Sequence, residues 1–439
     1  MKKINIGCGG NPLKDYINID KDSLRSMKKR YPFKKFPKNI IIKNYNIFKL
    51  PFQNSSVDEI RADGLIEHLS FIEESKFFYE MKRVLKPKGK IYLTSAVAEG
   101  NNQDAADVSR ELRVICYDSS NGKEIWDTKV FEQKPLKRPI HHKNSHASPT
   151  PIIEDGKVYV HFGHMGSACL DLKGKILWKN NELKYDPIHG NGGTPIIVDN
   201  LFFYSADAST NPFVVALDKN TGKVLWKKLR SETAQSRKFS FSTPTLISMG
   251  GSSQIISPAS GAVFSYDSKT GEELWSVDYG GWSVIPKPGV YKNMIYVGTG
   301  YERAHILGIR VDEKSKGNVT ESHVEWEITK RAPNTPSFMV VDDLLYFISD
   351  GGIATCVEPL TGEIIWQERT AGPISASPVH FNGMIYFLDE QGKTTVIKAG
   401  RKFEIIAENK IKERTLASFA ISEGAIYIRS EKSLFRIGE

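Results

Sequence analysis

A mostly β fold, an eight-bladed propeller with one incomplete seam behind a partial α/β sheet, is predicted by three observations. Six of the seven tryptophans, Trp126, Trp178, Trp226, Trp275, Trp326 and Trp366, recur at intervals of 40 to 52 residues. Five of them stand four residues after a turn glycine: Gly122, Gly174, Gly222, Gly271 and Gly362. Upstream of each unit the chain reads small residue, proline, apolar run, turn, apolar run, as in Ser148-Pro149 through Val160 and Ser377-Pro378 through Tyr386. A fixed period near fifty residues marks a repeat architecture. Four short antiparallel strands per repeat make one propeller blade.

Composition narrows the class. The 439 residues are 40% hydrophobic and 25% charged, ordinary for a globular chain. The net charge of +9 comes from lysines and arginines spread along the length, without an arginine-rich block, so no nucleic-acid partner is expected. Cys8, Cys116, Cys169 and Cys356 form no C-x-x-C pair, which argues against a zinc site or redox motif. The start, Met1 to Gly10, lacks the apolar run of a signal peptide, and no run of eighteen apolar residues occurs. A cytoplasmic monomer is the expectation from these features.

The first 89 residues read as alternating strands and helices. Ile4–Ile6 is a buried strand that runs into Gly7-Cys8-Gly9-Gly10, where glycines let the backbone approach a ligand. Tyr16–Ile19 is a second strand ending at Asp20, an acid placed to accept hydrogen bonds from ribose hydroxyls. Strands at residues 40–43 and 57–60 follow. Residues 71–85 carry a helical period that Pro87 and Gly89 stop. These residues resemble the class I S-adenosylmethionine-dependent methyltransferases, in the methyltransferase-11-like group. The matching elements are Gly7 and Gly9, Asp20, Asn46 with Leu50-Pro51-Phe52, Glu67-His68-Leu69, and Leu85 to Gly89. The resemblance implies S-adenosylmethionine held by Gly7, Gly9, Asp20, Asn46 and His68. Asn46 replaces the family's adenine-contacting acid. His68 reads as a packing residue at a strand end in preference to a general base. The family's later strands have no counterpart, so methyl transfer is not the leading expectation.

Lys90–Ser95 fits two roles, the fifth strand of that sheet and the strand that precedes a tryptophan unit. The overlap predicts a fusion inside this strand, with domains at 1–89 and 90–439. Residues 96–110 are polar and read as an exposed loop.

From residue 90 the chain reads as successive blades. Six carry tryptophans. A seventh, Ser377 to Glu408, has Phe403 in the aromatic zone, and an eighth, Ser418 to Ile437, shows three strands. Small residues before the prolines suit the crowded axis, and tryptophans fill the wider gaps between blades. The blade of Trp126 lacks an inner strand, which puts the weak seam between first and last blades. The repeats resemble the PQQ-repeat β-propellers, the group that includes the outer-membrane-assembly lipoprotein propeller. His141 to Pro151 with Gly190 to Pro195 looks most like exported bacterial members. Quinoprotein dehydrogenases of this kind carry an adjacent cysteine pair and calcium. No Cys-Cys occurs here, so the quinone cofactor is not expected.

Two features remain. His141, His142, His146, His161, His164 and His189 fall within fifty residues. His141, His142, His146 and His189 are candidate transition-metal ligands, against the expectation of a polar rim satisfied by backbone and water. Trp282 stands outside the repeat as a packing residue or a ligand-stacking plate. The leading expectation is a non-enzymatic propeller that binds a protein or small ligand at its face or channel. A methyltransferase with the propeller as recognition module ranks second.

Overall fold

The structure, a computed structural model, describes residues 109–134, 140–249, 252–422 and 424–438. It also describes Lys3–Ile6, Ile17–Ile19, Ile42–Lys43, Glu59–Arg61, Lys90–Ala98 and residues 45 and 49–52. Two compact units result: Met1–Gly89 with Ser119–Asn121, and Lys90–Asp118 with Gly122–Glu439. In the first, four short strands pair parallel in the order Ile42–Lys43, Ile17–Ile19, Lys3–Ile6, Glu59–Arg61. Gly7, Gly9, Asp20, Asn46, His68 and the helix expected over 71–85 lie outside the described residues.

Lys90–Ala98 pairs antiparallel with Arg110–Asp118 along nine residues, from Lys90 opposite Asp118 to Ala98 opposite Arg110. Its place is therefore in the second unit. Of the loop expected over 96–110, Ala96–Ala98 belongs to the first of these strands, and Arg110, almost fully buried, begins the next.

The second unit is a β-propeller. Seven blades each open on a short inner strand: Ile152–Glu154, Ile196–Val198, Thr245–Met249, Gly289–Tyr291, Met339–Val341, Val379–Phe381 and Ala420–Ser422. They are called blades one to seven below. The first six have four antiparallel strands, and blade three gains a fifth, Gly317–Asn318, paired parallel to Glu273–Asp278. Blade seven has three. The eight blades expected from the sequence become seven. The set Lys90–Ala98, Arg110–Asp118 and Glu124–Gln133, which carries Trp126, has three strands and no inner one. It is called the leading sheet.

The tryptophan unit joins one blade to the next. Trp126, Trp178, Trp326 and Trp366 each donate an indole N–H to a carbonyl of the following blade, at Leu172, Lys219, Pro359 and Gly400, over 2.9–3.1 Å. For Trp126, Trp178, Trp226 and Trp326 the turn glycine of the following blade lies against the ring. A Cβ at Gly222 would come within 2.5 Å of Trp178, and one at Gly271 within 2.5 Å of Trp226. These glycines have φ of +70°, so the turn and the ring demand the same residue. Within its own blade each tryptophan faces a small partner: Cys116, Cys169, Ala216, Ser265, Gly308 or Cys356. That accounts for three cysteines as fully buried small apolar side chains. No described helix is long and apolar enough to cross a membrane.

Candidate functional site

Strand alternation sorts the loops. Segments linking an outer strand to the next inner strand, and second strands to third, emerge on one face. The tight hairpins emerge on the other. The loop face is where side chains from several blades meet.

Nearest the axis is a belt of hydroxyls. The second residue before each inner strand is Thr150, Thr194, Thr243, Lys287, Ser337, Ser377 or Ser418. The backbone N–H of Thr150 donates to Thr194 Oγ1 (3.1 Å), and that of Thr194 to Thr243 Oγ1 (3.0 Å). The series resumes from Lys287 to Ser337 (3.0 Å), Ser337 to Ser377 (3.0 Å) and Ser377 to Ser418 (2.8 Å). Crowding alone does not explain these small residues, because their oxygens satisfy backbone donors at the blade junctions. Lys287 has no hydroxyl and interrupts the belt. Water reaches it, but the surrounding protein partly desolvates its ammonium and lowers its pKa.

Over the belt runs a strap, residues 140–151, which leads into blade one. His141 N donates to His189 O (3.2 Å) and Asn144 Nδ2 to the same oxygen (2.9 Å). On its other side Lys143 Nζ reaches Glu390 Oε1 (2.5 Å) and Ser375 Oγ (3.2 Å), both in the loops of blade six. Burial raises the Glu390 pKa, but hydrogen bonds from Lys143 and Ser375 outweigh it and leave the carboxyl below its ordinary value. Lys143 thus links the start of blade one to blade six, past blade seven.

Rings continue outward from the strap. His142, His141, His189, Phe239, Trp282 and Tyr301 follow one another at centroid distances of 4.3, 5.7, 5.4, 5.3 and 5.0 Å. Burial, then the neighbouring His142, His189 and Lys143, lowers the His141 pKa and keeps it neutral. Of the predicted histidines, the structure brings together His141, His142 and His189. His146 lies half-buried farther along the strap. His161 is buried against Ser167 Oγ (2.8 Å) and Tyr204, and His164 meets Asn191 and Tyr185. Among the described residues no group of three or more His, Cys, Asp or Glu side chains is placed to hold a metal ion.

Trp282 is half-buried between Phe239 and Tyr301, with the Arg237 guanidinium 4.1 Å over its ring. It borders a cavity of about 1040 Å³ between blades three and four. Trp282, Arg237 and the pair Arg303 and His305 come from three separate loops, so no spacing in the sequence joins them. The visible signal was the insertion between Asp312 and Trp326, which forms part of the wall.

Comparisons with known proteins bear on the fold. The family profile described as "Outer membrane protein assembly factor BamB" covers residues 83–207 and 210–433. A methyltransferase domain profile covers residues 6–93. A quinoprotein ethanol dehydrogenase of Pseudomonas aeruginosa is 37% identical over 139 residues, 28% of this chain and 22% of that protein. One from Pseudomonas putida is 33% identical over the same shares. The chain spans about a fifth of the length of these curated relatives. Among solved structures, BamB from Moraxella catarrhalis has a TM-score of 0.52 at 14% identity, covering 77% of this chain and 97% of that one. The designed protein Ika8 has a TM-score of 0.54 at 12% identity, covering 79% and 96%. At these identities the likeness is one of fold.

Proposed function

Because the chain belongs to the family described as outer membrane protein assembly factor BamB, we propose that it is a non-catalytic propeller scaffold that binds a protein or small ligand on its loop face. The strap carries this reading. Lys143, tied to Glu390 and Ser375, holds it across blade seven, and the row from His142 to Tyr301 begins and ends on exposed rings. A docked tryptophan at most blade junctions holds the blades in fixed relation, which lowers the ordering cost of binding. The relatives' names supply the competing reading, a quinone-dependent alcohol dehydrogenase. The test is to add pyrroloquinoline quinone with calcium to the purified chain and follow absorbance and alcohol-dependent dye reduction. No cofactor uptake is expected. Stoichiometric uptake with turnover would overturn the reading.

A second reading is favoured by the first unit. Its strand order, third-second-first-fourth and all parallel, is that of a doubly wound nucleotide-binding sheet, and the methyltransferase profile covers residues 6–93. On this reading Gly7, Gly9, Asp20, Asn46 and His68 hold S-adenosylmethionine, and the propeller recognises the methyl acceptor. Calorimetry with S-adenosylmethionine decides between them. Micromolar binding that disappears in Asp20→Ala would put the methyltransferase first.

A further inference from the structure

An insertion in blade four builds one wall of a pocket. Between Asp312 and Trp326 the chain leaves blade four. Gly317–Asn318 joins the edge of blade three, pairing with Trp275 and Ser276. Val319 N donates to Ser276 O (2.9 Å), Asp278 N to Thr320 Oγ1 (2.8 Å) and Asn318 Nδ2 to Asp278 Oδ2 (2.7 Å). The short helix Thr320–His323 is thereby fixed as a wall, with His323 buried beneath it. Blade three supplies Arg237 and Trp282 to the opposite wall, and the loop before Ile306 supplies Glu302, Arg303 and His305.

The chemistry of this lining is mixed. Arg237, Arg303, Glu302 and Glu321 make no ion pair among the described residues, although all border the cavity. His305 Nδ1 and Glu327 Oε1 are paired at 2.5 Å. A simple anion would face Asp278, Glu302, Glu321 and Glu327, and a simple cation would face two guanidiniums. An apolar ligand would desolvate them all without replacing a hydrogen bond. A ligand whose every polar group both donates and accepts satisfies the two kinds of lining at once. Guanidiniums only donate and carboxylates only accept, so neighbouring hydroxyls of a sugar suit them together. Trp282, which borders the cavity, adds aromatic surface for the C–H faces of a sugar ring. The volume is that of a small-molecule site.

We propose that the pocket between blades three and four binds a neutral oligosaccharide, with Arg303 donating to its hydroxyls and Glu302 accepting from them. The pocket shares Trp282 with the ring row but not Lys143, so it names a ligand for one part of the loop face and rests on that reading. The experiment is calorimetry of the full chain with maltotriose, cellotriose, chitotriose and inorganic phosphate. At least one trisaccharide should bind. Arg303→Ala and Glu302→Ala, both solvent-reached, should each weaken it about tenfold or more, the loss of one charge-assisted hydrogen bond, with unchanged melting temperature. Lys143→Ala, at the strap, should leave it unchanged. Binding of phosphate alone, no binding of any trisaccharide, or binding indifferent to Arg303 and Glu302 would overturn the proposal.

Discussion

Gly308 shows how tightly single residues are specified. It faces Trp326 across its blade, and a Cβ there would come within 2.2 Å of the indole. Gly308→Ala should cost about 1–3 kcal/mol by overpacking. Gly383 has φ of +72° and nothing within 4 Å of a Cβ. Gly383→Ala should therefore cost only the left-handed backbone strain, about 1–2 kcal/mol. Urea melts of the two variants separate packing from strain. A second residue-scale prediction concerns His161, whose pKa burial and then the nearby His164 lower from 6.5 to about 3. The folded chain keeps it neutral. Above pH 6.5 neither state is protonated and stability does not depend on it. As pH falls from 6.5 toward 3, the unfolded chain takes up a proton the folded one refuses. Stability should fall by about 1.4 kcal/mol per pH unit from this group. His141 and His164, also lowered mainly by burial, act in the same direction. Thermal melts at about pH 7 and pH 5 should show the loss, and His161→Gln should reduce the slope. The cysteines were visible in the sequence, but their role was not. The missed signal was a small residue nine or ten positions before most tryptophans, such as Cys116, Cys169, Ala216 and Cys356. Its meaning depends on cross-strand register, which composition does not carry.

At the scale of elements, the inner strands are held by side chains as well as by the ladder. Ser377 Oγ accepts the Ser337 N–H, so Ser377→Ala should cost about 1 kcal/mol and speed exchange of the Ser337 amide. Lys287→Thr tests the interruption. A hydroxyl there would meet the Thr243 N–H as in neighbouring blades, and the variant should gain about 0.5–1.5 kcal/mol. A buried pair ties blade two to blade three. Arg230 meets both oxygens of Asp207 (2.6 and 2.8 Å) and also Ser257 Oγ (2.9 Å). Burial raises the Asp207 pKa, and Arg230 draws it part of the way back. Asp207→Asn should cost about 3–5 kcal/mol, measured by chemical denaturation, because it leaves a buried guanidinium uncompensated. Strand positions were legible from period-two alternation and Asp-Gly or Asn-Gly turns, such as Asp155-Gly156 and Asn382-Gly383. The belt was only half legible. The small residues stood in the sequence, but the blade-to-blade hydrogen bond appears only once the repeats are arranged around an axis.

For the whole molecule, the repeat period announced a propeller, and the blade count is where expectation and structure part. The sequence counts a blade by its tryptophan, the structure by its inner strand, and the leading sheet has the first without the second. Across the seam the Arg429 charge of blade seven acts on Tyr117. Blade seven has three strands, and it carries no tryptophan. Native-state hydrogen exchange should therefore be fastest in Ala420–Ile437 and slowest in the central blades, where docking occurs on both sides. The candidate site was the least legible part. The strap, the ring row and the cavity each draw on residues tens to hundreds of positions apart, and no motif records that proximity.

The tryptophan contact also has a direction. The indoles of Trp126, Trp178, Trp226 and Trp326 are knobs seated on the turn glycine of the next blade, which is a socket facing back, so the contact is heterologous. Such contacts repeat without limit unless the rotation closes or an end is blanked. Blade seven supplies no knob, and Gly122, the leading sheet's socket, meets no described ring. Among the described residues, the directional contact that orders most other junctions is therefore not made at the incomplete seam.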